Sequence, residues 1–134
     1  MSSVPMTSFL RRVLIADALS CAATGAVMVL GARVLPAWLG LPGSLLLAAG
    51  SMLLPYSLLL LWLARRPGLP AAVIGTVIAC NVLWALDCAA VLFADAFAPS
   101  RLGVAFVAAQ ALTVLALAEL EFVALRRARP AASA

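Results

Sequence analysis

Four unbroken apolar stretches, at residues 13–32, 44–64, 71–94 and 102–125, constrain this chain more than any other feature. A hydrocarbon layer about 30 Å thick is crossed by about twenty helical residues rising about 1.5 Å each, and every stretch reaches that length. Helices also satisfy their backbone hydrogen bonds internally, which lipid demands of a crossing segment. The first stretch carries Asp17 as its one charge, the second carries none, the third carries Asp87, and the fourth has Glu119 and Glu121 near its end. Composition agrees, because 66% of the residues are hydrophobic and 10% charged, where a soluble domain is about half apolar and about a quarter charged.

The connections hold turn residues: Pro36, Gly40, Pro42 and Gly43 in the first, Pro67, Gly68 and Pro70 in the second, Pro99 and Ser100 in the third. Each is short, so consecutive helices are expected to pack as antiparallel neighbours. The expected fold is all-α, a membrane four-helix bundle running up-down-up-down within a single domain over residues 1–134. Arg11, Arg12, Arg65, Arg66, Arg126, Arg127 and Arg129 flank one side of the membrane, while Arg33 and Arg101 flank the other. By the positive-inside rule the first side is cytoplasmic, which predicts both termini in the cytoplasm of a bacterial cell and the chain in its inner membrane. The first stretch follows a basic pair as a signal peptide does, but its length is that of a retained anchor. The residues after Arg129 have nothing to bury and are expected to fray.

The net charge of +4 comes entirely from arginines at the ends of apolar stretches, so it reads as a topology signal and not as a nucleic-acid surface. Cys21, Cys80 and Cys88 lie within apolar stretches, form no C-x-x-C pair, and have no histidine anywhere in the chain to complete a zinc set. They read as small packing residues. With no phosphate loop and no histidine-containing triad, the chain is not expected to be an enzyme or to need a cofactor. A membrane enzyme using the cysteines is the alternative.

Polar side chains in hydrocarbon are costly, so they mark where function is to be sought. Asp17, Ser20, Cys21, Thr24 and Met28 recur at spacings of three and four and form one stripe of the first helix. Asp17 lies about 7 Å past Arg12 by helical rise. It pairs across the bundle with Arg65, Arg66 or Arg126, takes water at the interface, or binds a proton or cation. In the third helix Asn81 falls near the midplane and Trp84 shares its face, while Asp87 lies nearer the far surface, within reach of Arg101. In the fourth, Gln110, Thr113, Leu117 and Glu121 share one face and Glu119 falls on another. Glu119 is at a depth similar to that of Asp17, so the two are expected to form an acidic pair if their helices touch. Tyr56 follows Pro55, which should kink the second helix. The candidate polar core is therefore Asp17, Asn81, Gln110 and Glu119, with Thr24, Tyr56, Trp84 and Asp87 beside it.

Asp17-Ala18 with Gly25, Asn81 with Trp84, and Gln110 with Ala118-Glu119-Leu120 and Arg126-Arg127 resemble a group of small bacterial inner-membrane proteins of four spanning helices. The resemblance implies topology and a bacterial origin, but no substrate. The small multidrug-resistance exporters are similar in having four short helices with an acid in the first. Here that acid is Asp17 in place of their glutamate, and it lies nearer the membrane surface. The expected role is a small accessory or interaction subunit working in the lipid bilayer as a homo-oligomer or within a larger membrane complex. The alternative is a minimal oligomeric transporter of a proton, cation or small solute through Asp17 and Glu119.

Overall fold

The structure, a computed structural model, describes residues 3–128. The expected frayed tail, and Arg129 with it, lies outside the described residues. In chain order the elements are β1 (Ser3–Pro5), α1 (Ser8–Leu30), α2 (Leu35–Leu39), α3 (Gly43–Ala64), β2 (Gly68–Pro70), α4 (Ala71–Phe93) and α5 (Arg101–Ala128). Four of the helices, of 22 to 28 residues with mean hydropathy between 1.8 and 2.0, are long and apolar enough to cross a membrane. All four turn large apolar side chains outward, among them Leu19, Leu58, Leu83 and Leu112. A monomeric soluble protein does not sustain an apolar exterior on that scale, so the fold is that of a multi-pass membrane protein.

The helix limits follow local chemistry that counting apolar residues misses. α1 begins at Ser8 and not at residue 13, because Thr7 Oγ1 accepts from the Leu10 amide at 3.1 Å and caps the first turn. Arg11 and Arg12 are thus helical residues, and Arg11 Nε donates to the Ala64 carbonyl at 2.9 Å, satisfying an end of α3. The first connection contains a helix that the apolar pattern does not show. α2 opens with Pro36 in its first turn and closes on Gly40, whose φ of 68° is the left-handed cap conformation.

The helical fold carries one small addition. Val4 pairs with Leu69 in an antiparallel two-stranded ribbon formed by β1 and β2, and both side chains are buried. Flanking prolines at Pro5 and Pro70 cannot donate to a ladder, so the ribbon stays at three residues a strand. It joins the start of the chain to the link between α3 and α4. Arg127 of α5 stacks over Phe9 of α1 at 5.3 Å, and Arg66 over Trp62 at 4.0 Å, at this same arginine-rich end. At the opposite end the Ser100 amide donates to the Leu39 carbonyl at 2.9 Å, tying the start of α5 to α2.

α1 is the central helix, packed against α3 on one side and α5 on the other, while α4 packs against α5. The α1–α3 crossing is a glycine contact. A Cβ on Gly50 would lie 2.8 Å from the Gly25 carbonyl oxygen, and one on Gly25 would lie 3.1 Å from that of Gly50. Close backbone approach maximises dispersion contacts where no hydrophobic force drives helices together. Ala16, Ser20 and Thr24, which also repeat a small residue every four positions of α1, are not this contact: Ala16 is exposed and the other two are half-buried. Nor do all consecutive helices pack as neighbours. α3 and α4 are not closely packed, because their link runs extended as β2 and lets α4 settle on α5.

Candidate functional site

Three helices deliver one polar side chain each to a single buried point. Asn81 of α4 donates through Nδ2 to Asp17 Oδ2 of α1 at 2.8 Å and to Glu121 Oε2 of α5 at 3.0 Å. Both acids are 0% exposed and Asn81 is 2% exposed. One amide nitrogen with two hydrogens therefore bridges two carboxyl groups and makes them neighbours. Cys21, one turn beyond Asp17 on α1, donates its thiol to Asp17 Oδ1 at 3.5 Å. Two buried polar atoms nearby have no hydrogen-bond partner: Glu121 Oε1 and the Tyr56 hydroxyl. Unsatisfied buried groups of this kind are rare in native folds, and each calls for a reason.

The sequence-expected residues separate into those that meet and those that do not. Asp17 and Asn81 meet. Gln110 is in a second pair, accepting from Trp84 Nε1 at 3.2 Å, which again links α5 to α4. Thr24 and Tyr56 are half-buried beside these pairs, and Asp87 is exposed. Glu119 does not join Asp17: it is exposed on the outward side of α5, and Glu121 takes its place. Two residues along a helix change depth by only about 3 Å but rotate the side chain by about 200°, so depth could not separate these acids and phase does. The signal was present in the spacing of Gln110, Leu117 and Glu121 on one face. The expected pairing of Asp17 with an arginine is also corrected, because its hydrogen-bond partners are Asn81 and Cys21. Arg11 is engaged with Ala64 and Arg66 with Trp62.

Three cavities adjoin the cluster, two between α3 and α4 and one between α1 and α5. The innermost, about 210 Å³, is lined by Cys21, Tyr56, Cys80, Asn81 and Trp84. A second, about 200 Å³, includes Ser20, Thr24, Trp84 and Gln110. The outermost, about 390 Å³, extends along Leu45, Trp84, Asp87, Cys88, Val91 and Gln110. Trp84 borders all three. Among the described residues no three His, Cys, Asp or Glu side chains are grouped as a metal site needs. The chemistry on offer is that of paired carboxyl groups beside a thiol and a phenol: proton holding and exchange.

No protein-family model matches the chain, and no curated protein or solved structure matches it. The class defined by the fold is that of a multi-pass membrane protein with a buried carboxyl pair.

Proposed function

We propose that this protein holds a proton between Asp17 and Glu121 inside the membrane and acts as a minimal proton-exchanging carrier. The observation that carries the reading is Glu121 Oε1, buried with no partner beside a second carboxyl group. A single bridging amide cannot serve both acids fully, and two like charges within hydrogen-bonding range of one nitrogen repel strongly in a medium of low dielectric. A proton on the pair relieves the repulsion and gives one acid a donor. Helix packing alone accounts for Asn81, but it does not account for two acids facing one amide.

In this proposal the chain lies in a bacterial inner membrane, up-down-up-down, with both termini cytoplasmic. Support comes from the asymmetry of the arginines and from the contacts that gather Phe9, Ala64 and Arg127 at one end and Leu39 with Ser100 at the other. Reconstitution in proteoliposomes tests the function. A proton flux is expected that Asp17→Asn and Glu121→Gln each abolish and Glu119→Gln leaves intact. Loss in the Glu119 variant alone, or flux that persists in both of the others, rejects the site.

A second reading, an accessory subunit of a homo-oligomer or larger membrane complex, is favoured by Glu119 itself. An acid on the outward side of a spanning helix, beside exposed Leu112, Leu115 and Leu120, is better satisfied against a protein partner than in lipid. Gentle extraction distinguishes this reading, because Glu119→Leu should then release a defined partner or dissociate the oligomer.

A further inference from the structure

The two ends of the bundle differ in what separates the carboxyl cluster from water. Toward the arginine-rich end each helix interposes a fully buried apolar side chain: Leu10 and Leu14 before Asp17 in α1, Leu60 beyond Tyr56 in α3, Ile74 before Asn81 in α4, Ala124 beyond Glu121 in α5. All five are 0% exposed, and Val4 and Leu69 of the ribbon are buried at that same end. Ser57, buried between Tyr56 and Leu60, donates its hydroxyl to the Leu54 carbonyl at 2.6 Å, and a dry layer of close-packed side chains conducts neither water nor protons.

Toward the α2 end Leu39, Leu41 and Leu46 are buried as well, but cavities run past them. The chain of cavities starts at Leu41, Leu45 and Val91 and reaches Asn81, Cys21 and Tyr56 beside the carboxyl pair. Polar groups recur along it: exposed Asp87 in the outer cavity, Gln110 and the Trp84 indole in the middle, and the unpartnered Tyr56 hydroxyl at the floor. Cavities of about 200 to 390 Å³ exceed the roughly 30 Å³ share of one water severalfold, and water in a protein needs such polar partners. Trp84 borders all three of these cavities and is held there by Gln110, so the indole stands at their junction, with Met52 and Asp87 shared by the inner and outer ones.

We infer that the carboxyl pair communicates with the α2 side of the membrane only, through a hydrated crevice between α3 and α4 that Trp84 borders. The other titratable groups at its floor are Cys21, Cys80 and Tyr56, so a proton entering past Trp84 meets Tyr56 and Cys21 before Asp17 and Glu121. The inference rests on the proposed proton site for its purpose but not for its test, which reads water access alone.

The chain's own cysteines report on the crevice. A membrane-impermeant methanethiosulfonate is applied separately to each face of sealed vesicles holding the full chain with Cys21 alone (Cys80→Ala, Cys88→Ala) or Cys88 alone (Cys21→Ala, Cys80→Ala). Ser8→Cys and Asp95→Cys in a cysteine-free chain define the two faces. Cys88 and, more slowly, Cys21 are expected to react from the Asp95 face and not from the Ser8 face. Gln110→Leu, which frees the indole, should speed Cys21 labelling about five- to tenfold, the change that losing one hydrogen bond makes to an opening equilibrium, and leave Cys88 unchanged. Trp84→Ala should do the same or more, and Gln110→Leu keeps the test decisive if that variant does not fold. Labelling of Cys21 from the Ser8 face, from both faces or from neither overturns the inference, as does a Cys21 rate indifferent to Gln110→Leu. If labelling is two-sided while Asp17→Asn still abolishes proton flux, one-sided access fails and the proton site stands.

Discussion

Replacing Asn81 separates a cluster kept for function from one kept for stability. Asn81→Leu keeps the branched shape and the number of heavy atoms and removes the amide that binds Asp17 at 2.8 Å and Glu121 at 3.0 Å. Interhelical hydrogen bonds between spanning helices average about 0.6 kcal/mol and reach about 1.7, so two of them predict a loss of about 1 to 3 kcal/mol. Removing the whole cluster should behave differently. Apolar replacement of a complete buried polar set is often neutral or stabilising, because the desolvation of every member disappears with it. Asp17→Leu, Asn81→Leu and Glu121→Met combined should therefore lie within about 1 kcal/mol of the parent chain, or above it. Reversible unfolding of the protein in mixed micelles, followed by far-ultraviolet circular dichroism, measures both quantities. A triple variant as unstable as the single one, or more so, would refute the reasoning, for the cluster would then be the lock that holds α1, α4 and α5 together.

Other outcomes follow from particular contacts. Gly50→Ala places a Cβ 2.8 Å from the Gly25 carbonyl oxygen and should cost about 1 to 3 kcal/mol in the same unfolding assay, whereas Gly75→Ala meets nothing within 4 Å and should be neutral or stabilise the helix by up to about 1 kcal/mol. Val4→Asp would bury an unpaired charge between Leu69 and the helix ends, so β1 should detach; limited proteolysis then cleaves near residue 6, and equal resistance in the two chains counts against the ribbon. Arg11→Met leaves the Ala64 carbonyl without its donor and should lower stability by about 1 kcal/mol, while Arg12→Met, exposed and without an observed hydrogen bond, should change it by less than about 0.5 kcal/mol.

Asp17 and Glu121 show how far local reading goes. That both acids sit in apolar helices is plain from composition along the chain, and that Asp17 faces inward is plain from the stripe it shares with Cys21. Which of Glu119 and Glu121 faces inward depends on the angle at which α5 presents itself to α1. That angle is set where Gly103 approaches the Leu39 carbonyl at one end and Arg127 meets Phe9 at the other. The face shared by Gln110, Leu117 and Glu121 carries a signal in the sequence, but neither contact that fixes the angle is legible near residue 120. Val4 and Leu69 make the same point for the ribbon, since neither three-residue strand has a periodicity to detect and each exists only because the other is beside it.

Solvent and crossing segments were determined by the sequence alone. Apolar length is a property of each stretch by itself, and a stretch of about twenty such residues has one favourable place to be, with its backbone bonds closed inside a helix. Tertiary structure decided the rest. It separated α3 from α4, opened the crevice that Trp84 borders, sealed the arginine-rich end with Leu10, Leu14 and Ile74, and brought Asn81 between Asp17 and Glu121. Those outcomes depend on the rotation and neighbours of whole helices, which lipid leaves free and only packing between side chains far apart in the chain can choose.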